Sequence, residues 1–345
     1  MSTVDKATLE QIAKKMVATG KGILAIDESH STCQKRFDSL GVECTEESRR
    51  EYRELLVTAP GIEEAVSGYI LFDETIRQST KSGVPFAKVL TEKGIMPGIK
   101  VDTGAHDLDL HPGEKITEGL DGLRERLAEY RALGAKFAKW RAVITIKGTD
   151  LPSDACLMAN SHALARYAAL CQEAGLVPMV EPEILLDGNH TIERCYEVSA
   201  KTWRVLFAQR KEQGVHLPGT ILKTSMVLAG KDCPTQADLE TVAVQTVKCL
   251  VENVPHELAG VVFLSGGQSD ADSTIRLDAM NKKNNLPWPL SFSYGRGIQA
   301  PALKIWAANR ADFDRAQRTL THRAKMNGLA ALGKYDPALE TNSVY

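Results

Sequence analysis

Short apolar or β-branched runs recur along the chain, each followed by a longer stretch whose apolar residues return every three or four positions. The runs fall at 22–27 (GILAID), 68–72 (GYILF), 98–102 (GIKVD), 135–144 (AKFAKWRAVI), 177–185 (VPMVEPEIL), 219–227 (GTILKTSMV), 260–267 (GVVFLSGG) and 290–295 (LSFSYG). Runs of this length read as strands, and the periodic stretches between them as helices. Two of those stretches, ALARYAALCQEAG and CYEVSAKTWRVLFAQRKEQG, end in glycine, as helices commonly do. Strand–helix alternation implies a parallel sheet, and eight units fit a closed (β/α)8 TIM barrel better than an open doubly wound sheet. Val4, Leu9, Ile12 and Met16 add one helical face ahead of the first strand. No Pro/Ser-rich linker divides the chain, so residues 1–345 are expected to form a single α/β barrel domain, with 327–345 as a C-terminal tail.

Composition narrows the function classes. A hydrophobic content of 43%, a charged content of 25% and a net charge of −2 lack the basic excess that nucleic-acid binding normally needs. No apolar run approaches membrane-spanning length, and charges interrupt the N-terminal helix where a signal peptide would be apolar. The seven cysteines are scattered and never in C-x-x-C, which suggests reduced thiols and a cytoplasmic protein. The histidines show neither H-x-x-x-H nor H-E-x-x-H spacing, so nothing points to a metal.

The ionisable residues gather at the ends of the runs. Strand one ends in Asp27, three in Lys100 and Asp102, four in Lys139 and Arg141, five in Glu181 and Glu183, and six carries Lys223. Ligands of a barrel bind at the C-terminal mouth of its strands. Period-two alternation puts Lys100 with Asp102, Lys139 with Arg141, Glu181 with Glu183, and Lys223 with Ile221 and Ser225. Any one of these residues alone could be a solvated strand end or half of a structural ion pair. As a set they suggest a site. A lysine in an apolar strand near another cation, such as Lys139, is expected to lose part of its proton affinity and act as an amine nucleophile; the competing reading has it snorkel out of the barrel mouth or be held by Glu181.

Two glycine-rich turns complete the pattern. FLSGGQSD follows strand seven, and FSYGRGIQ leads from strand eight through Arg296 into a helix. Backbone N–H groups at such helix starts bind anions, and barrel phosphate sites are frequent after strands seven and eight. Residues 295–300 also match G-x-G-x-x-A, but no βαβ unit follows, which argues against a dinucleotide. An amine, several carboxylates and two anion loops suggest a small phosphorylated carbonyl substrate handled through an iminium ion, with no added cofactor.

At these residues the chain resembles the class I fructose-1,6-bisphosphate aldolases. GILAIDES, YREL, FDET, GIKVD, AKWR, VPMVEPEIL, GTILK, FLSGGQS and FSYGRGIQ stand in that family's order over nearly the whole length. The resemblance implies Lys223 as the Schiff-base nucleophile and Glu181 as the proton donor and acceptor, with Asp27, Lys139 and Glu183 around them and Tyr345 in the place of a C-terminal tyrosine used in proton exchange at C3. It implies a C1-phosphate site at Ser265, Gly266, Gly267, Ser293, Gly295 and Arg296. Ser29, Thr32, Arg36, Lys100 and Arg141 match residues around the other end of the sugar. It also implies a metal-independent homotetramer of glycolysis and gluconeogenesis. The loop ESHSTCQKRF departs from the family's commoner pattern and places Thr32 where a serine is expected. LKTSMV likewise lacks the commoner proline-asparagine after the lysine. A Schiff-base barrel acting on a monophosphate, a pyridoxal-phosphate barrel and a non-catalytic sugar-phosphate sensor remain as alternatives.

Overall fold

Side chains leave each strand alternately to two sides, and the two sides bury different cores. In the computed structural model, which describes residues 4–283 and 285–340, the strands are β1 (Gly22–Ile26), β2 (Val66–Leu71), β3 (Met96–Lys100), β4 (Gly104–Asp107), β5 (Lys115–Glu118), β6 (Phe137–Ile144), β7 (Val177–Ile184), β8 (Ile221–Thr224), β9 (Gly260–Phe263) and β10 (Leu290–Tyr294). Eight of them close a parallel barrel in the order β1-β10-β9-β8-β7-β6-β3-β2. The chain is thus a single-domain (β/α)8 barrel, as its alternating pattern predicts.

Inside the barrel, Ile23, Ala25, Ile70, Phe137, Val177, Met179, Ile221 and Val262 form a small apolar core. Helix Lys6–Met16 closes its lower end with Leu9, Ala13 and Met16. Phe137 fills the axis where β3 carries glycine: a Cβ on Gly98 would stand 2.2 Å from the Phe137 ring. Outward residues such as Leu24, Trp140, Val180, Leu222 and Phe263 pack against the surrounding helices in the larger core. Burial of both faces explains why the strands read as near-continuous apolar runs.

Four local expectations are corrected. β4 and β5 form an antiparallel hairpin inserted between β3 and β6, where the sequence showed no strand. β8 stops at Thr224 rather than running to 227. The stretch read as a loop after β1 is helical over His30–Asp38, with Ser29 at its N-cap position. At the other end, helix Phe313–Ala330 continues past the point where the tail was expected to begin. Beyond it, the N–H of Tyr335 donates to Asp278 Oδ1 at 2.8 Å and Arg323 pairs with Glu340, holding 335–340 against the helices. Tyr345 lies outside the described residues.

Candidate active site

The inward face changes character one layer above the apolar core. Following the same alternation, Ala25 gives way to Asp27, Phe137 to Lys139 and Arg141, Met179 to Glu181 and Glu183, and Ile221 to Lys223. The register sets Lys100 beside Lys139 and Arg141 beside Glu181. These side chains line a cavity of about 720 Å³ at the C-terminal mouth.

Buried charges in the mouth are paired. Glu181 lies between two lysines: its Oε1 is 3.0 Å from Lys223 Nζ and its Oε2 is 2.9 Å from Lys139 Nζ. Lys139 reaches Asp27 Oδ2 at 3.0 Å as well. Lys100 pairs with Asp102 Oδ1 at 3.1 Å, and Arg141 pairs with Glu183. Lys223 therefore meets a carboxylate at hydrogen-bond distance, so the ion-paired alternative describes the resting geometry.

The electrostatics follow from this arrangement. Burial pushes the Asp27 carboxyl up, but Lys139, Lys223 and Lys100 outweigh it and bring its pKa down to about 2. Glu181 is likewise lowered, burial being overcome first by Lys139 and then by Lys223 and Arg141. For Lys139, burial acts against the charge, but Asp27 and Glu181 win and raise its pKa. Lys139 is thus a fixed cation.

Around this centre stand the anion-binding candidates. Ser265, Gly266, Ser293, Gly295 and Arg296 all line the cavity. The hydroxyl of Ser293 is buried without a hydrogen-bond partner among the described residues, an orphan that an oxyanion in the cavity would satisfy. Ser265 Oγ accepts from the N–H of Gly297, tying the loop after β9 to the start of helix Arg296–Ala308. Gly266 is close-fitting, since a Cβ there would lie 3.1 Å from Glu183 Oε1. Gly267 does not line the cavity; at φ +79° it turns the loop, and a Cβ would meet Leu186 at 2.9 Å. Ser29, Thr32, Arg36, Lys100 and Arg141 line the same cavity, with Ser29 Oγ 3.2 Å from Thr32 Oγ1.

Sequence reasoning passed over Glu28, Lys35, Ser39 and Gly104, which also line the cavity. It noted Asp102 as a strand end without assigning it to the site; that carboxylate accepts from the Arg141 N–H at 3.2 Å as well as from Lys100. Glu28 was the most legible of these, following Asp27 directly. Lys35 and Ser39 needed the helix after β1, and Gly104 needed the hairpin.

A set of paired charges at a barrel mouth is shared by many enzymes, and comparison with known proteins resolves which family this one represents. The family described as "Fructose-bisphosphate aldolase class-I" matches residues 8–344. A protein of Xanthomonas axonopodis pv. citri named a probable fructose-bisphosphate aldolase class 1 is 62% identical over 328 residues, covering 95% of this chain and 98% of that protein. Fructose-bisphosphate aldolase 1, chloroplastic, of Chlamydomonas reinhardtii is 49% identical, covering 96% and 87%. Among solved structures, the fructose-bisphosphate aldolase of Plasmodium falciparum, in complex with TRAP and a small-molecule inhibitor, superposes with a TM-score of 0.94 at 44% identity over 96% of both chains. By this extent of match in sequence and fold, the chain belongs to the class I fructose-bisphosphate aldolase family.

Proposed function

We propose that the protein reversibly cleaves fructose 1,6-bisphosphate into dihydroxyacetone phosphate and glyceraldehyde 3-phosphate through an imine on Lys223. The observation that carries this reading is the Lys223–Glu181–Lys139 row, in which one carboxylate oxygen faces the reacting amine and the other faces a cation that keeps its proton.

The row divides the work. Glu181 accepts a proton from Lys223, and the free amine attacks the C2 ketone to give a carbinolamine. Protonated Glu181 returns the proton to the departing hydroxyl, which leaves as water, and the iminium forms. Lys139 stays charged and stabilises the oxygen charge that develops, while Asp27 holds its ammonium in place. Removal of the C4 hydroxyl proton, again by Glu181, breaks C3–C4 and sends the electron pair into the iminium as an enamine. Glyceraldehyde 3-phosphate leaves; protonation at C3 and hydrolysis release dihydroxyacetone phosphate and restore Lys223. Tyr345 is proposed for the C3 proton on the family's pattern alone.

Ser265, Gly266, Ser293, Gly295 and Arg296 are proposed for the C1 phosphate, Gly267 shaping their loop, while Ser29, Thr32, Arg36, Lys100 and Arg141 serve the other end. Glu183 orients Arg141. The resemblance further suggests a cytoplasmic homotetramer that needs no metal; among the described residues no helix is long and apolar enough to cross a membrane. A coupled assay with fructose 1,6-bisphosphate, with and without EDTA, tests the reading: turnover unaffected by chelation supports it, and no cleavage, or a loss restored by zinc, contradicts it.

A further inference from the structure

Glu28 takes part in no step above, yet it lines the cavity with a side chain only 7% exposed. Its Oε1 accepts from Arg36 Nη1 and, at 2.6 Å, from Gln299 Nε2. Its Oε2 is 2.7 Å from Nη2 of Arg53, a buried arginine on helix Glu46–Thr58. Gln299 is fixed in turn by donating to the Ala25 carbonyl at 2.9 Å and accepting from the Tyr52 hydroxyl at 2.8 Å. Burial pushes the Glu28 carboxyl up, but Arg53 and Arg36 outweigh it and keep it ionised.

Arg36 is the most exposed member of this cluster. It is 23% exposed, lines the cavity, and gives Nη1 to Glu28, while its Nε and Nη2 make no hydrogen bond among the described residues. A guanidinium held at one corner keeps two donors for an oxyanion. It has also already lost the rotamer freedom that binding would otherwise remove. We propose that Glu28 is a positioning residue that holds Arg36 with this two-donor edge toward the phosphate remote from C1, and so sets the preference for a bisphosphate over a ketose 1-phosphate. The inference rests on the functional reading above and deepens it.

The test compares wild type, Glu28→Gln, Arg36→Gln and the double variant on fructose 1,6-bisphosphate and fructose 1-phosphate. The amide in Glu28→Gln can still accept from Gln299, which preserves the C1 end. Glu28→Gln should raise KM for the bisphosphate about tenfold with kcat within about threefold, leave KM for the 1-phosphate within about threefold, and add less than about threefold when Arg36 is already glutamine. Additive losses, equal losses on both sugars, or a fall confined to kcat overturn the proposal. If Glu28→Gln does not fold, Arg36→Lys carries the test: its single nitrogen cannot bond Glu28 and also present a planar edge with donors on two nitrogens, so the same selective rise in KM is expected, and an unchanged KM refutes it. A wild type that cleaves neither sugar overturns the functional reading and this inference with it. Cleavage of both with KM unmoved in the variants overturns this inference alone.

Discussion

Lys223 Nζ lies 3.0 Å from Glu181 Oε1, and both side chains are almost completely buried. The contact is short enough for direct proton transfer, with no water needed between the groups. Glu181→Gln keeps the shape and removes the proton acceptor. Its kcat for bisphosphate cleavage should fall by about 10²–10⁴, the usual worth of a positioned acid–base group. Steady-state kinetics beside a thermal melt will check this, a variant that melts normally but turns over at the wild-type rate being the contrary result.

Lys139 holds two carboxylates, so Lys139→Met leaves Asp27 and Glu181 buried with one fewer cation. Breaking such a pair costs about 3–5 kcal/mol, and urea unfolding at neutral pH should register a loss of that order. The pH dependence has a definite sign. Asp27 has a folded pKa of about 2 against an ordinary 3.8, so its contribution is fully present above the ordinary value and is lost as pH falls toward 2. That contribution is about 2 kcal/mol, and Glu181 adds in the same direction. Lys139, with a raised pKa, contributes fully below its ordinary 10.5 and loses that contribution only as pH rises beyond it. The stability gap between wild type and Lys139→Met should therefore narrow from pH 7 to pH 3; a gap independent of pH contradicts the account.

Arg210 presents the opposite case. It is fully buried on helix Ile192–Glu212, its Nη2 donates to Thr220 Oγ1 at 2.6 Å, its guanidinium lies 5.5 Å from the Phe207 ring centroid, and its Nε and Nη1 have no hydrogen-bond partner among the described residues. Burial lowers its pKa to about 9. Thr220 stands at the foot of β8, at the end of the barrel away from the cavity. Replacing a poorly paired buried charge by an apolar side chain is often neutral or stabilising by about 1–4 kcal/mol. Arg210→Met should match or exceed wild type in urea unfolding with kcat unchanged. A loss above about 2 kcal/mol would show that the guanidinium is better satisfied than its contacts indicate.

Much of this architecture was legible because the barrel buries both strand faces and places its charges at strand ends. Lys139 and Glu181 stood out as ionisable residues at the ends of apolar runs, and the period of two put Lys139 on a face with Arg141 and Glu181 on a face with Glu183 before any distance was known. The hairpin at 104–118 gave no such signal: its strands are four residues long, and Ala105, His106 and Asp107 are exposed, so no apolar alternation marks them. The role of Glu28, as distinct from its place beside Asp27, was hidden for another reason. Its partners Arg36, Arg53 and Gln299 are separated by up to 271 positions, and only the closed barrel brings them to one carboxylate. The pairing of Lys223 with Glu181, rather than simple repulsion from Lys139, likewise depends on which strand neighbours which.

The account turns on Lys223 as the nucleophile. Borohydride added with dihydroxyacetone phosphate should reduce the imine to a stable secondary amine, and peptide mass spectrometry should find the adduct on Lys223. Lys223→Ala should lose both the adduct and cleavage. An adduct on another lysine, or cleavage that survives in Lys223→Ala, would contradict the mechanism.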